Sequence, residues 1–223
     1  MKKVNPSSGD TQVDLQRASR CGFPEVIFGE GKTPAQIVRI ARTLKASGQP
    51  VLATRLDPAA ARALKKVFPA GTHHPIARLY YSDLLPSLEG KVAVCVAGTS
   101  DQPIAEEAAC TAEYLGCQVT RYYDIGVAGL HRLLGCIDEI RKAHVIIAVA
   151  GMEGTLPSVI GGLVDRPVIA VPTHIGYGAH FGGWTPLCSM LTSCSSGVTV
   201  VNIDNGFGAA FAAAQILRVR RLK

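Results

Sequence analysis

Charged side chains make up only 18% of the 223 residues and aromatic ones only 6%. The shortage of charge, beside 48% apolar residues, excludes a disordered polar chain. Aromatic residues do not interleave with basic ones, which argues against a platform for single-stranded nucleic acid, and no nucleic-acid partner is expected. No apolar run approaches the ~20 residues of a membrane span, so no membrane association is expected. The seven cysteines lack C-x-x-C spacing and no signal-peptide pattern is present, which points to a reducing, cytoplasmic setting. Cys95, Cys110, Cys117 and Cys136 fall in strand or helix segments and read as small buried hydrophobes. A G-x-S-x-G elbow is missing, which argues against a serine hydrolase. His73 and His74, expected in a loop, have no carboxylate or cysteine at metal spacing. His131 falls inside an expected helix, and all three read as structural or solvated.

What is present is alanine, glycine and valine in short runs. The length suggests one full domain plus a smaller one, here divided as 1–88 and 89–223, with the stretch 86–90 as linker. Residues 1 to about 13 are polar. The first region reads as a small α/β unit: a short helix over 14–20, strands at 25–28, 51–55 and 77–81, and helices opened by Thr33-Pro34 and Asp57-Pro58. From Lys91 strands and helices alternate five times, with strands at 92–97, 118–123, 145–150, 167–171 and 198–203. That pattern predicts a flavodoxin-like, doubly wound, five-stranded parallel sheet in the order 2-1-3-4-5. Net charge is +6, part of it in the tail Arg218–Lys223, which reads as solvated; a mildly positive surface favours an anionic small substrate.

In such a sheet ligands bind beyond the carboxyl ends of the strands where strand order reverses. Two glycine-rich turns meet there. In Gly98-Thr99-Ser100-Asp101, main-chain N–H groups, a helix start and two hydroxyls suit an anion, although an ordinary helix cap by Asp101 is the other reading. The second turn is Gly151-Met152-Glu153-Gly154. Gly29-Glu30-Gly31-Lys32-Thr33 is not a Walker loop, because Val26 stands where its first glycine is needed. The segment 176–184 does not fit G-x-G-x-x-G and suits a mobile loop over a ligand. Trp184 either stacks on an aromatic ring or packs at a helix start.

The segments 92–101, 145–157 and 167–172 resemble the aminoimidazole ribonucleotide carboxylases and mutases of purine synthesis, and the likeness extends over most of 91–218. In an ungapped alignment the two histidines that handle protons in that family fall on Ile125 and Thr155, and a cysteine, Cys194, stands in Leu191–Ser195 where that family has Q-M-P. The chain resembles more closely, and over nearly its whole length, the LarB-type carboxylase/hydrolases that begin nickel-pincer cofactor synthesis. The matching residues are 20–33, 126–133, 150–154 and Cys194 with 201–208.

That resemblance implies the substrate nicotinic acid adenine dinucleotide, carboxylated at pyridinium C5 and cleaved to pyridinium-3,5-biscarboxylic acid mononucleotide and AMP. A pyridinium ring cannot attack CO2 until a nucleophile adds to it, a task suited to a cysteine thiolate. The resemblance implies Cys194 as that nucleophile. Glu153, in a turn expected to be partly desolvated, is the base for the C5 proton, with Ser100 and Asp101 positioning CO2 or the new carboxylate. Gly98, Thr99, Gly126, Gly151, Met152, Gly154 and Trp184 are the expected substrate-binding residues. CO2 or bicarbonate is the co-substrate, and Mg2+ is expected on the diphosphate oxygens, with no protein ligands named. Cys194 precedes the fifth strand, at the opposite edge from the glycine turns. A neighbouring subunit is therefore expected to complete the site in a homo-oligomer, a tetramer or octamer.

Overall fold

The structure, a computed structural model, describes residues 11–220. The first ten residues and the last three of the basic tail lie outside that range. The described residues divide into two units, the chain passing from one to the other between Asp83 and Leu84.

In the first unit, α1 (Arg17–Cys21) precedes β1 (Ile27–Phe28), α2 (Pro34–Ala46), β2 (Leu52–Thr54), α3 (Pro58–Val67), β3 (Thr72–His74) and β4 (Leu79–Tyr81). Thr33 caps α2 through a capping box, its hydroxyl accepting from Gln36 N while the Gln36 side chain accepts from Thr33 N. Ile37, Ile40, Ala41 and Leu44 line the buried face of α2, the one-sided spacing of a surface helix. Asp57 caps α3 by accepting from Ala60 N at 2.7 Å. The sheet runs β1-β2-β4-β3, with only β1 and β2 parallel. His73 and His74 are not in a loop. They form β3, paired antiparallel with Tyr80 and Leu79.

The second unit contains β5 (Lys91–Val96), α4 (Gln102–Tyr114), β6 (Gln118–Tyr122), α5 (Leu130–Ile140), β7 (Val145–Ala150), α6 (Leu156–Gly161), β8 (Val168–Pro172), α7 (Trp184–Leu191), β9 (Val198–Val200) and α8 (Gly206–Arg220). Its five-stranded sheet runs β6-β5-β7-β8-β9, and every pair is parallel. That is the flavodoxin-like order, reversing between β5 and β7. β7 and β8 are buried along their whole length, which explains their uninterrupted apolar sequences. On one face α4 and α8 approach through buried alanines, among them Ala105, Ala108, Ala109, Ala209, Ala210 and Ala213. The expected linker belongs to this unit: Leu85 N donates to Tyr114 O and Leu88 N to Gly116 O. Residues 218–220 extend α8, and Arg218 and Val219 are exposed there, as a solvated tail requires. Cys95, Cys110 and Cys117 are buried, whereas Cys136 is only half-buried. Among the described residues no helix is long and apolar enough to cross a membrane.

Candidate active site

Each strand of the parallel sheet delivers its following loop to the carboxyl edge. The loops after β6, β7, β8 and β9 each hold one non-glycine residue in the left-handed region: Asp124 (φ 53°), Met152 (φ 51°), Phe181 (φ 48°) and Asp204 (φ 58°). Such conformations persist only where the surroundings enforce them, and they gather at functional sites.

Between the loops after β5, β6, β7 and β8 lies a cavity of about 210 Å³. Gly98, Asp101, Gly126, Gly151, Met152 and Glu153 line it, all six expected at the site. Arg132, Thr155 and Ile175 line it as well.

Asp101 is the buried polar centre. It does not cap α4. It closes a short 3-10 turn, Thr99–Asp101, and turns back so that Oδ2 accepts from Gly98 N at 3.1 Å. Its Oδ1 accepts from Thr173 Oγ1 at 2.7 Å. Burial pushes the Asp101 carboxyl above the usual carboxylate range; donors on Thr173, Gly98 and Gly151 oppose that shift, and the nearby charge of Asp204 adds to it. Thr173, itself fully buried, has no motif to announce it. The available signal is its place, one residue beyond the carboxyl end of β8.

The second turn is as tightly fixed. Gly154 N donates to Gly151 O at 2.9 Å, and Met152 N donates to Ile175 O at 2.9 Å. A Cβ on Gly151 would stand 2.1 Å from Ile175 O and 2.7 Å from Thr173 Oγ1, so only glycine fits. At Gly154, with φ +72°, a Cβ would meet the Pro186 backbone of α7 at 2.8 Å. Glu153 projects from this turn and is exposed, not desolvated, within one chain.

Arg132, near the start of α5, is the cationic side chain of the cavity wall and is ion-paired with Asp124. It lies in the matching segment 126–133, but nothing in the sequence gives it a role. Thr155 occupies a wall position, and Ile125 is buried.

The remaining expected residues are elsewhere. Thr99 and Ser100 are exposed on the 3-10 turn, outside the cavity lining. Trp184 opens α7 at 62% exposure, so it is not packed at its helix start. Cys194 is exposed in the loop between α7 and β9. Its neighbours fix that loop to α6: the Ser158 and Ser193 hydroxyls are 2.8 Å apart, and Ser195 Oγ donates to Ser158 O at 2.6 Å. The next residues return to the amino end of β8, where Val168 N donates to Gly197 O at 3.1 Å. The cavity meets the other end of the same sheet, at Ala150 beside Pro172. Four strand steps of roughly 3.3 Å separate the two edges along β8. A single chain therefore brings Asp101 and Glu153 to the cavity and leaves Cys194 outside it.

Residues 6–83 match the LarB/PurE-like N-terminal domain, and residues 91–223 match AIR carboxylase. An uncharacterized protein of Methanocaldococcus jannaschii, MJ0165, is 38% identical over 93% of this chain and 84% of its own length. The N5-carboxyaminoimidazole ribonucleotide mutase of the same organism is 34% identical over 58% of this chain and 80% of its own. The mutase of Thermotoga maritima is 30% identical over 58% and 76%.

Proposed function

Since the chain belongs to the LarB/PurE-like family related to AIR carboxylase, we propose that it carboxylates the pyridinium ring of nicotinic acid adenine dinucleotide at C5 and then cleaves the phosphoanhydride. One observation carries this reading over a purine-pathway carboxylase or mutase. The acid–base groups lining the cavity are two carboxyls, Asp101 and Glu153, while Thr155 and buried Ile125 stand where that family's imidazoles align.

The chemistry follows from those groups. The cavity admits a ring-sized group, and Arg132 supplies a cation for an anionic substituent on it. The Cys194 thiolate adds to ring C4, breaking aromaticity and leaving an enamine whose C5 is nucleophilic. C5 attacks the carbon of CO2, supplied as such or from bicarbonate. Glu153 then removes the C5 proton, and the ring expels the thiolate as aromaticity returns. Asp101, held at the cavity wall by donors on Thr173 and Gly98, positions CO2 and the new carboxylate beside Arg132. Because Cys194 lies outside its own chain's cavity, the neighbouring subunit of a homo-oligomer supplies it.

Among the described residues no three His, Cys, Asp or Glu side chains converge as a metal cage. Mg2+ is read here as a companion of the substrate's diphosphate, which needs no such cage, and no step here passes through it.

The test is to incubate the protein with nicotinic acid adenine dinucleotide, bicarbonate and Mg2+ and follow products by mass spectrometry. The expected result is a dicarboxylated mononucleotide, AMP and a substrate adduct on Cys194. Unchanged turnover by Cys194→Ser would overturn the mechanism. Turnover of aminoimidazole ribonucleotide instead would overturn the substrate.

A further inference from the structure

Breaking a phosphoanhydride requires water to lose a proton as it attacks phosphorus, and the steps above leave that proton without an acceptor. At the carboxyl ends of β8 and β9, Asp204 grips a single residue twice. Its Oδ1 accepts from the His174 main-chain N–H at 2.9 Å, and its Oδ2 lies 2.8 Å from His174 Nδ1. A carboxylate only accepts, so in the neutral imidazole Nδ1 carries the hydrogen and Nε2 holds the lone pair. The His174 side chain is 58% exposed while that of Asp204 is 23% exposed, so a sheltered carboxylate orients a ring open to water.

The backbone holds this arrangement in place. Asp204 sits at φ 58°, and its own N–H donates to Pro172 O at 2.8 Å. His174 stands between two residues that build the cavity: Thr173 bonds Asp101, and Ile175 lines the wall. Asp204 is also near enough for its charge to act on the Asp101 carboxyl. The pair therefore adjoins the cavity wall at Thr173 and Ile175, within reach of a diphosphate that leaves the cavity over this edge.

We propose that His174, oriented by Asp204, is the base that activates water for phosphoanhydride cleavage. Nε2 takes one proton from water. The water oxygen bonds to phosphorus, the bridging P–O bond breaks, and its electron pair leaves on the departing nucleotide phosphate. The proton on Nε2 then passes to solvent. This inference rests on the dinucleotide reading of the cavity.

The experiment measures AMP release and ring carboxylation separately, on the full-length protein with nicotinic acid adenine dinucleotide and bicarbonate. In His174→Gln, AMP release is expected to fall about 100-fold, a typical general-base contribution. The ring-carboxylated dinucleotide then accumulates uncleaved. In His174→Ala, added imidazole restores part of the cleavage, a rescue that a purely structural role would not give. Asp204→Asn is expected to slow AMP release and to shift the His174 ring nitrogens away from the Nδ1-protonated form by NMR. AMP release within threefold of wild type in His174→Gln, carboxylation and cleavage lost in step, or no imidazole rescue would each overturn the proposal. A wild-type protein that neither carboxylates nor cleaves the dinucleotide would instead overturn the functional reading beneath it.

Discussion

Thr173 Oγ1 donates to Asp101 Oδ1 across a separation of 72 residues, and the bond lies fully inside the protein. It ties the loop after β8 to the loop after β5 and fixes the cavity's buried carboxyl. Thr173→Val keeps the shape and removes the donor. A buried carboxyl short of one partner costs about 1–3 kcal/mol, read as a lower urea midpoint with an unchanged slope. Thr173→Ser, which keeps the hydroxyl, should recover most of the loss.

The same carboxyl sets a pH dependence. Asp101 holds its proton more tightly in the fold than in the unfolded chain, where the ordinary value is 3.8. The native state therefore binds the extra proton as pH rises above that value, and stability falls as pH climbs towards the raised folded value. Asp101→Asn lacks this slope. Urea titrations from acid to neutral pH should show wild type losing stability relative to Asp101→Asn as pH increases. A difference that is flat or shrinks with rising pH would contradict the burial of this group.

Gly151→Ala forces a methyl into Ile175 O and the Thr173 hydroxyl. The expected cost is about 1–3 kcal/mol, together with loss of turnover, because the second turn must move. A methyl added at Gly135, in α5, would meet nothing within 4 Å, so Gly135→Ala is the matched control. It should stabilise the fold by about 0.5–1 kcal/mol in thermal or urea unfolding.

Arg132 faces the cavity while paired with Asp124. Arg132→Gln should raise KM for the nicotinic acid dinucleotide roughly 10-fold or more with a smaller change in kcat, as for a lost charge-assisted bond. The penalty should be much smaller for the corresponding amide if the arginine reads the ring carboxylate, and equal for both if it reads phosphate.

The separation of Cys194 from the cavity predicts complementation. Cys194→Ala and Glu153→Gln proteins, each inactive alone, should regain activity when unfolded together and refolded as mixed oligomers. Random pairing across a two-chain site restores about a quarter of the sites. Recovery is measured as product formed per total chain. If the mixture stays as inactive as its parents, Cys194 acts within its own subunit or not at all.

The parallel sheet was legible because β5, β7 and β8 are apolar on both faces and glycine turns follow β5 and β7; α2 and α3 announced themselves through Thr33-Pro34 and Asp57-Pro58. β3 was not legible. Three residues, Thr-His-His, carry neither alternation nor a continuous apolar run, and only pairing with β4 makes them a strand. At the site, the topology located Gly98, Asp101, Gly151 and Glu153, since strand order alone determines which loops meet. It could not locate Thr173, whose partner is distant in sequence, or assign a role to Arg132, which reaches the cavity from the first turns of a helix. The orientation of Asp101 also escaped, because a carboxylate before a helix reads as a forward cap until burial and a second donor turn it back.

The reach of that threonine has a consequence for synthesis. A nascent chain that has not yet emerged past Ile175 exposes Asp101 to water, and the wall facing the second turn does not yet exist. Assembly of the cavity is thereby deferred until the chain has been made past Ile175, in keeping with domains folding as units. A fragment that ends before Thr173 lacks the donor that holds the Asp101 carboxyl in place.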